Sequence, residues 1–402
     1  MALPFLSLVI LEAKMKLQIK TLSPIHIGNG EKYNGLSYIE DIKSHQIFII
    51  EFEKIKKILN QKEIESFMDW VLTEKYPSWF KFCKYKLNSP QLQNEFKKSA
   101  LYRLHNYSHE KLRDGDIIEC FIKQNNKLYL PGTEIKGAIR TAVTYYLLKK
   151  ENYWNWLKEQ LDDFGNAHKG DLKKIAGQKG RWVNDIKKRL VKIEKKLQNQ
   201  LFIAGKINDS KYDLFKFLHI SDSELKEPSQ CLFISSLKTL NINREFNIFQ
   251  ELCKNGQNFI CDFKLENNPV ILNKLGFNDE QKWVISDIKN IFQCCYEFSD
   301  RLLKEEINYT HYPKEVKNKL NQIKELNSKD SPIIRIGKNE GYLSVTVGLL
   351  VKDKDKNLYD NVLSHATKNT SYPGEFPKTR RIVNLLNGGY DTLGWAKMNI
   401  IN

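Results

Sequence analysis

The most informative part of the chain is the stretch KLYLPGTEIKGAIRTAV at residues 127–143. A short apolar strand leads to Pro131 and Gly132, and the residues after this turn have the composition of a helix. The free N–H groups and the positive dipole end of a helix N-terminus favour a phosphate at such a turn. Lys136 and Arg140 are four residues apart and therefore share one helix face. The stretch predicts a strand, a turn and a helix that hold a nucleic-acid backbone.

The same stretch also allows a plainer interpretation, in which it has no role in binding. Pro-Gly followed by Thr133 is also an ordinary turn with a helix N-cap. Cations in a first helical turn are common solvated residues. Gly137 has no side chain and lets a backbone approach closely, which fits either interpretation.

Composition limits the class of protein. At 402 residues the chain is long enough for two or three domains, and 41% hydrophobic with 28% charged residues indicates a folded protein. The formal charge of +16 favours a polyanionic partner. Lysines outnumber arginines 54 to ten, which is typical of compositional drift, so the arginines are the sharper signal. Four of them lie in or beside glycine- or proline-marked loops: Arg140, Arg335, Arg380 and Arg381.

The cysteines and the N-terminus point to the reducing cytoplasm and away from a membrane. The seven cysteines are scattered and form neither a CxxC pair nor a zinc-finger spacing, so we expect no metal and no cofactor. The apolar start, MALPFLSLVILEAK, is too short to span a bilayer and lacks the basic start of a signal peptide. We expect residues 1–14 to be an extension, with translation beginning at Met15, directly before an alternating strand.

Strands and helices interleave along the chain as in a split βαβ, ferredoxin-like unit. We expect strands at 16–28, 46–52, 116–123, 127–130, 217–220, 232–237, 259–265, 333–336 and 393–398. A glycine turn is expected at Gly28–Asn29–Gly30, and a hairpin through Asn125–Asn126. Helices are expected at 53–72, after Thr133, and at 182–201, 279–307 and 314–326, with a basic loop at 164–181 and an undecided element at 342–351.

Several motifs resemble those of one protein family. SPIHIGNG (23–30) and LPGTEIKGAIR (130–140) resemble the first-strand turn and the glycine-rich loop of CRISPR repeat-associated (RAMP) proteins. RIGKNEGYLSVTV (335–347), FPKTRRI (376–382) and LGWAKM (393–398) resemble the C-terminal part of one branch, the fifth Csm subunits of type III-A CRISPR interference complexes. The middle of the chain matches poorly, and Thr392 stands where that branch has a proline.

The resemblance implies an α+β fold of two ferredoxin-like (RRM-related) domains with helical insertions, at 15–210 and 211–402. It implies a non-catalytic subunit that binds crRNA at its 3′-end side and takes part in 3′ trimming and assembly. The implied partners are crRNA, the RAMP backbone subunit, the small helical subunit and a host trimming nuclease.

The residues predicted to bind RNA are His26, Gly28, Asn29, Gly30, Gly132, Thr133, Lys136, Gly137, Arg140, Arg335, Lys338, Lys378, Arg380 and Arg381. His26 also supports an alternative, a metal-independent endoribonuclease that processes crRNA precursors, although its strand pattern favours a structural histidine. His105 and His109 have helix-face spacing but no acidic partner, which does not favour a metal site. A metal-dependent nuclease would use an aspartate in the loop after the first strand, but residues 31–38 contain no Asp and Asp41 lies at the start of the next strand, which does not favour this alternative.

Overall fold

The computed structural model describes residues 15–108, 110–175, 180–204, 209, 212–242, 248–363, 366 and 376–401. The expected extension 1–14 and His109 lie outside these residues. The strands are β1 Met15–Thr21, β2 Gly28–Tyr33, β3 Tyr38–Asp41, β4 Gln46–Ile49, β5 Tyr102–His105, β6 Ile118–Phe121, β7 Lys123–Gln124, β8 Lys127–Leu128, β9 Leu218–Ile220, β10 Leu232–Thr239, β11 Ile248–Cys253, β12 Asn258–Leu265, β13 Ile333–Arg335, β14 Arg381–Asn384, β15 Tyr390–Asp391 and β16 Trp395–Ile401.

The helices are α1 Phe52–Lys56, α2 Gln61–Thr73, α3 Trp79–Lys81, α4 Leu92–Lys98, α5 Gly132–Leu147, α6 Glu151–Ala167, α7 Lys169–Ile175, α8 Arg181–Phe202, α9 Pro228–Cys231, α10 Pro269–Leu275, α11 Asp279–Ser286, α12 Ile288–Ile307, α13 Lys314–Glu325, α14 Tyr342–Val345, α15 Gly348–Lys354 and α16 Lys356–Leu358. Short π-helical turns follow α3 and α16, at Phe82–Lys86 and Tyr359–Leu363, and a 3₁₀ turn covers Leu214–Phe217. No helix in the described part of the chain is long and apolar enough to cross a membrane.

A five-stranded sheet in the order β13-β16-β1-β12-β9 forms the base of the fold, with antiparallel neighbours throughout. Along β1, Leu17 and Ile19 are buried, whereas Lys16 and Lys20 on the other face are exposed. Helices α5 and α12 pack against each other, and α12 also contacts β13. Read along the chain, β1, α5, β9, β12, α12 and β16 follow the strand–helix–strand–strand–helix–strand order of a ferredoxin-like unit. The expected α+β class is confirmed.

A six-stranded sheet lies beside the first, in the order β15-β14-β10-β11-β6-β2. Its strands pair antiparallel except β6 and β11, which are parallel. Each large sheet therefore contains strands from both sides of residue 210. The parts of the chain before and after residue 210 thus share both sheets. The division of the chain into two domains at that residue stays a prediction.

The chain between β2 and β6 forms an appended unit with a core of its own. Strands β3, β4 and β5 make a small sheet, and helices α1 to α4 cover it. The rings of Trp79, Phe82 and Phe96 are fully buried in this separate cluster. The remaining core, shared by the two large sheets, is formed mainly by a different and larger set of apolar side chains.

Most expected elements form within a few residues of their expected bounds, and the differences have physical reasons. The hairpin β7–β8 turns through Asn125 and Asn126, both at positive φ, a conformation that asparagine tolerates. Gly28–Gly30, expected as a turn, begins strand β2 because this segment pairs with β6, and Gly30 has a φ of 89° where the register is irregular. The undecided element at 342–351 is helical, in α14 and α15.

The expected basic loop at 164–181 was wrong for most of its length. Helices α6 and α7 occupy the described residues up to Ile175. Leu157, Leu161 and Phe164 are spaced for one buried helix face, and this burial outweighs the glycine content. Gly165 fits because a Cβ there would lie 2.7 Å from a methyl group of Val362.

Three further expectations need correction. Strand β11 was missed, although it is central to the six-stranded sheet. Phe52, expected at the end of a strand, begins helix α1. His105 ends strand β5 and does not lie on a helix.

Candidate nucleic-acid interface

The start of α5 has the predicted strand–turn–helix geometry, but the protein itself occupies the expected phosphate position. The backbone N–H of Gly132 donates to Asp222 Oδ1 at 2.9 Å. A carboxylate at a helix N-terminus is stabilised by the free N–H groups and the dipole, as a phosphate would be. A Cβ at Gly132 would lie 2.3 Å from the carbonyl oxygen of Ile220 and 2.6 Å from that of Ser221. Gly132 is therefore required by internal packing, because strand β9 ends against it.

The two cations of α5 have different surroundings. Arg140 donates through Nε to Gln198 Oε1 at 3.0 Å and pairs through Nη2 with Asp213 at 3.2 Å. Its guanidinium carbon lies 4.1 Å from the ring centroid of Phe202 and 5.1 Å from that of Phe215. These contacts fasten α5 to α8 and to the 3₁₀ turn at Leu214–Phe217. The paired geometry does not favour a phosphate contact by Arg140.

Lys136, one turn earlier, borders open space. Burial lowers the pKa of its ammonium group, an effect that Asp213 partly offsets. Thr133 and Gly137 are exposed, and no atom outside the helix lies within 4 Å of a Cβ built at Gly137. A groove of about 420 Å³ runs from here to the edge strand β9 and its neighbour β12. Its charged or polar lining residues are Thr133, Lys136, His219, Ser221, Asp262 and Lys264.

A second group of predicted residues meets at the start of β2, where five chain segments converge. Lys338 donates its backbone N–H to the carbonyl oxygen of His26 at 2.7 Å. Its ammonium group lies 2.8 Å from both carboxylate oxygens of Glu119. Asn339 contacts Arg381 and donates to Gln250 Oε1 at 3.1 Å.

His26 at this junction is buried, with 1% of its surface exposed. Its Nδ1 lies 2.7 Å from the carbonyl oxygen of Glu251, so Nδ1–H is the donor and Nε2 is left as an acceptor. Nε2 has no hydrogen-bond partner among the described residues and lies 4.0 Å from Glu119. Burial lowers the pKa of His26 to about 4, although Glu251 and Glu119 act in the opposite direction. A Cβ at Gly28 would lie 2.9 Å from Nε2, so the glycine is required here.

Asn29, the remaining member of the first-strand motif, is exposed and makes local contacts. Its side chain donates to Glu31 at 2.8 Å and accepts from the backbone N–H of Glu31 at 2.9 Å. Gly28, Asn29 and Gly30 therefore lie at the surface, beside the buried His26.

The C-terminal arginines Arg335 and Arg380 lie in the core, and here the structure corrects the expectation that they face RNA. Arg380 Nε lies 2.8 Å from Glu306 and Arg335 Nη1 lies 3.4 Å from the same carboxylate. Tyr312 donates to Glu306 at 2.7 Å. Burial alone would raise the pKa of Glu306, but the two arginines outweigh it and lower that pKa. We call Glu306, Arg335, Arg380 and Tyr312 the ion cluster.

Lys378 lies at the edge of this cluster and is half-buried. Its carbonyl oxygen accepts from Tyr309 at 2.7 Å and from Asn241 at 3.2 Å. The ring of Tyr309 also stacks on Arg380, with 4.8 Å between the guanidinium carbon and the ring centroid.

The residues that sequence reasoning missed are the acids that bind these cations and the N–H of Gly132. Asp213, Asp222, Glu119 and Glu306 lie between 29 and 219 positions from these groups. No local pattern marks them, because only the tertiary fold brings them to their partners. Among the described residues, no three His, Cys, Asp or Glu side chains are grouped so that they could hold a metal ion.

Comparisons with known proteins agree with the motif resemblance. The profile of the RAMP superfamily matches residues 18–342. A Methanocaldococcus jannaschii protein named "CRISPR system Cms protein Csm5" is 27% identical over 419 residues, covering 96% of this chain and 89% of that protein. A Streptococcus thermophilus protein of the same name is 26% identical over 182 residues, covering 42% of this chain and 48% of that protein.

Two solved structures share the fold. A chain of the cryo-EM structure of a Csm–crRNA–target RNA ternary complex of a type III-A CRISPR-Cas system has a TM-score of 0.69 at 20% identity, with 96% of this chain and all of that chain covered. The crystal structure of T. onnurineus Csm5 has a TM-score of 0.63 at 20% identity, covering 94% and 99% of the two chains.

Proposed function

The chain belongs to the RAMP superfamily, and from this we propose that it is a non-catalytic crRNA-binding subunit of a type III-A CRISPR interference complex. The observation that carries the proposal is the similarity to the M. jannaschii protein named Csm5, which extends over 96% of this chain. The fold shared with a chain from a Csm–crRNA–target RNA complex supports the same class of partner.

The outward face of α5, formed by Thr133, Lys136 and Gly137, is the part of the predicted interface that the geometry supports best. The Lys136 ammonium group at the edge of the groove, and Gly137 with no atom near a Cβ built there, let an RNA backbone approach closely. Contacts to phosphate ignore base sequence, which suits a subunit that must accept guides of different sequence. Lys338 and Arg381 at the start of β2 are secondary candidates, because each already contacts a side chain of the protein.

In this proposal the chain caps the 3′-end side of the crRNA in the cytoplasm. It contacts the RAMP backbone subunit and the small helical subunit, and a host nuclease trims the RNA that the assembled complex leaves exposed. The protein contributes the boundary at which trimming stops, and its own side chains cut no bond.

The alternative of a metal-independent endoribonuclease has weaker support. A general base must reach the 2′-hydroxyl that it deprotonates, and His26 is buried below Gly28 and the loop at Lys338. For the metal-dependent alternative, Asp41 pairs with Lys97 at 3.0 Å and caps the turn after β3 through the N–H groups of Lys43 and Ser44.

The test is purification of the native complex from cells with and without this chain, followed by sequencing of the bound RNA ends. We expect crRNA in the complete complex, and crRNA extended at the 3′ end when the chain is absent. A chain that purifies with no RNA and no other subunit would contradict the proposal. Defined cleavage of repeat RNA by the purified chain, lost in His26→Ala, would establish the endoribonuclease instead.

A further inference from the structure

The segment KYPSWFKFCKYK at residues 75–86 of the appended unit alternates aromatic and basic residues. Its rings divide into two sets. Trp79 and Phe82 point inward and are fully buried, whereas Tyr76, Phe80 and Tyr85 are 42%, 49% and 68% exposed. We propose that the outward rings and their lysines form a stacking surface for the bases of single-stranded RNA, separate from the α5 face.

The inward rings make this surface rigid. Trp79 donates through Nε1 to the carbonyl oxygen of Leu36 at 2.7 Å, and its ring stacks on Phe67 with centroids 4.8 Å apart. Lys81 holds the segment from the side, at 2.9 Å from Glu74 and 3.0 Å from Asp114. The outward rings are therefore presented from a packed base, which reduces the entropy lost on binding.

Two of the three outward rings are arranged around one cation. Phe80 and Tyr85 meet edge to face with centroids 6.1 Å apart. The ammonium group of Lys84 lies 5.2 Å from the first ring centroid and 5.1 Å from the second. The combination supplies what a single strand requires: flat apolar faces for bases, and a positive charge beside them for the phosphates.

Charge separates this surface from an ordinary protein-docking patch. Residues 75–94 contain no Asp or Glu. Asp114 and Asp116 line one cavity with Tyr76 and Phe80, so the positive charge of the surface is greatest around Lys84 and Tyr85. The preceding helix α2 also exposes apolar side chains, such as Leu72 at 85%, but it carries three acids of its own and is followed by a fourth. A polyanion is therefore favoured beside Lys84 and Tyr85 and disfavoured on α2.

This inference rests on the proposed function, since it assumes that the chain meets single-stranded RNA. The experiment measures binding of a labelled oligouridine strand and of an RNA duplex to the purified full-length chain, by fluorescence anisotropy at several salt concentrations. Variants are Tyr85→Ala, the conservative Tyr85→Phe, Lys84→Gln, and Leu72→Ala as an exposed apolar control on the acidic helix.

We expect Tyr85→Ala to weaken single-strand binding about tenfold, the loss of one stacked base, with an unchanged salt slope. Tyr85→Phe and Leu72→Ala should bind as the wild type, and duplex binding should not respond to Tyr85→Ala. Lys84→Gln should instead lower the salt slope by about 0.7. Because Tyr85 is largely exposed, its variants should keep the wild-type circular dichroism and melting temperature.

Two outcomes would overturn the inference and leave the proposed function standing. One is wild-type RNA affinity in Tyr85→Ala, with normal assembly. The other is wild-type RNA affinity in Tyr85→Ala together with failure of this variant to join the other subunits, which would make the surface a protein interface. A wild-type chain that binds no RNA, alone or in its complex, would remove the proposed function and this inference together.

Discussion

The ion cluster and the outward face of α5 begin from the same kind of sequence and end with opposite roles. Each is a glycine- or proline-marked segment followed by cations. At the ion cluster, Arg335 and Arg380 turn inward to one buried carboxylate, Glu306. On α5, Lys136 stays at the edge of an open groove. The two regions differ in whether the fold places an acidic side chain beside the cation.

Arg140 is the intermediate case and shows that the choice is made residue by residue. It shares a helix face with Lys136, yet it pairs with Asp213 and lies on two aromatic rings. A basic motif therefore predicts a binding face only for those of its cations that do not pair with an acid of the protein itself. The four predictions that follow test this separation of buried from exposed groups.

The largest effect is expected from Glu306→Gln. Without the carboxylate charge, two buried guanidinium groups lose their counter-ion, which costs about 3–5 kcal/mol of unfolding free energy. Chemical denaturation measures this loss. Glu325→Gln, at an exposed position on α13, is the control and should change stability by less than about 0.5 kcal/mol. Equal stability of the two variants would show that the cluster is not the internal support described.

His26 should make stability depend on pH. Its pKa is about 4 in the folded chain against 6.5 unfolded, so the unfolded chain binds more protons between these values. Stability from this group is therefore present above pH 6.5 and is lost as pH falls towards 4, by about 2 kcal/mol between pH 7 and pH 5. Denaturation at both pH values measures it. In His26→Asn this part of the difference should vanish; an identical pH dependence would contradict the buried neutral imidazole.

Arg140→Ala should act on stability more than on RNA. Loss of a partly exposed ion pair and of contacts with two rings should cost about 1–2 kcal/mol. Arg140→Lys restores the charge but not the stacked plane and should recover only part of it. Thermal unfolding measures the cost, and anisotropy titration of the folded fraction should show near-wild-type RNA affinity. A strong loss of RNA affinity without loss of stability would instead show that Arg140 contacts RNA.

Lys136→Ala should show the reverse pattern and the smallest change in stability, below about 0.5 kcal/mol. Its affinity for unrelated single-stranded RNAs should fall uniformly, and the salt slope should drop by about 0.7 for the lost phosphate contact. Lys274→Ala, at an exposed lysine on α10, provides a charge-matched control. If both lysine variants had the same slope as the wild type, the α5 face would lose its assignment.

Much of the fold could be predicted locally. The alternation at β1, the hairpin through Asn125–Asn126 and the amphipathic helix α8 are set by periodicity and turn chemistry, which act over a few residues. The glycine segment at the start of β2 was misassigned because its ladder bonds go to β6, far away in the sequence. Strand β11 was missed although it pairs with the neighbouring strand β10 as well as with the distant β6.

The same distinction holds for the candidate site. The sequence identified the glycines and the cations, and it indicated the RAMP superfamily through its motifs. It did not show which cations remain available, since that depends on acids as many as 219 positions away.

By itself the sequence determined the alternating strands, the helical faces and the positive charge, because side-chain chemistry and spacing express these within one element. Only the tertiary structure decided that Arg335 and Arg380 support the core, that Asp222 fills the start of α5, and that the aromatic segment turns three rings outward. A buried cation loses its hydration shell and is stable only beside a fixed counter-ion. The tertiary fold alone fixes where that counter-ion lies.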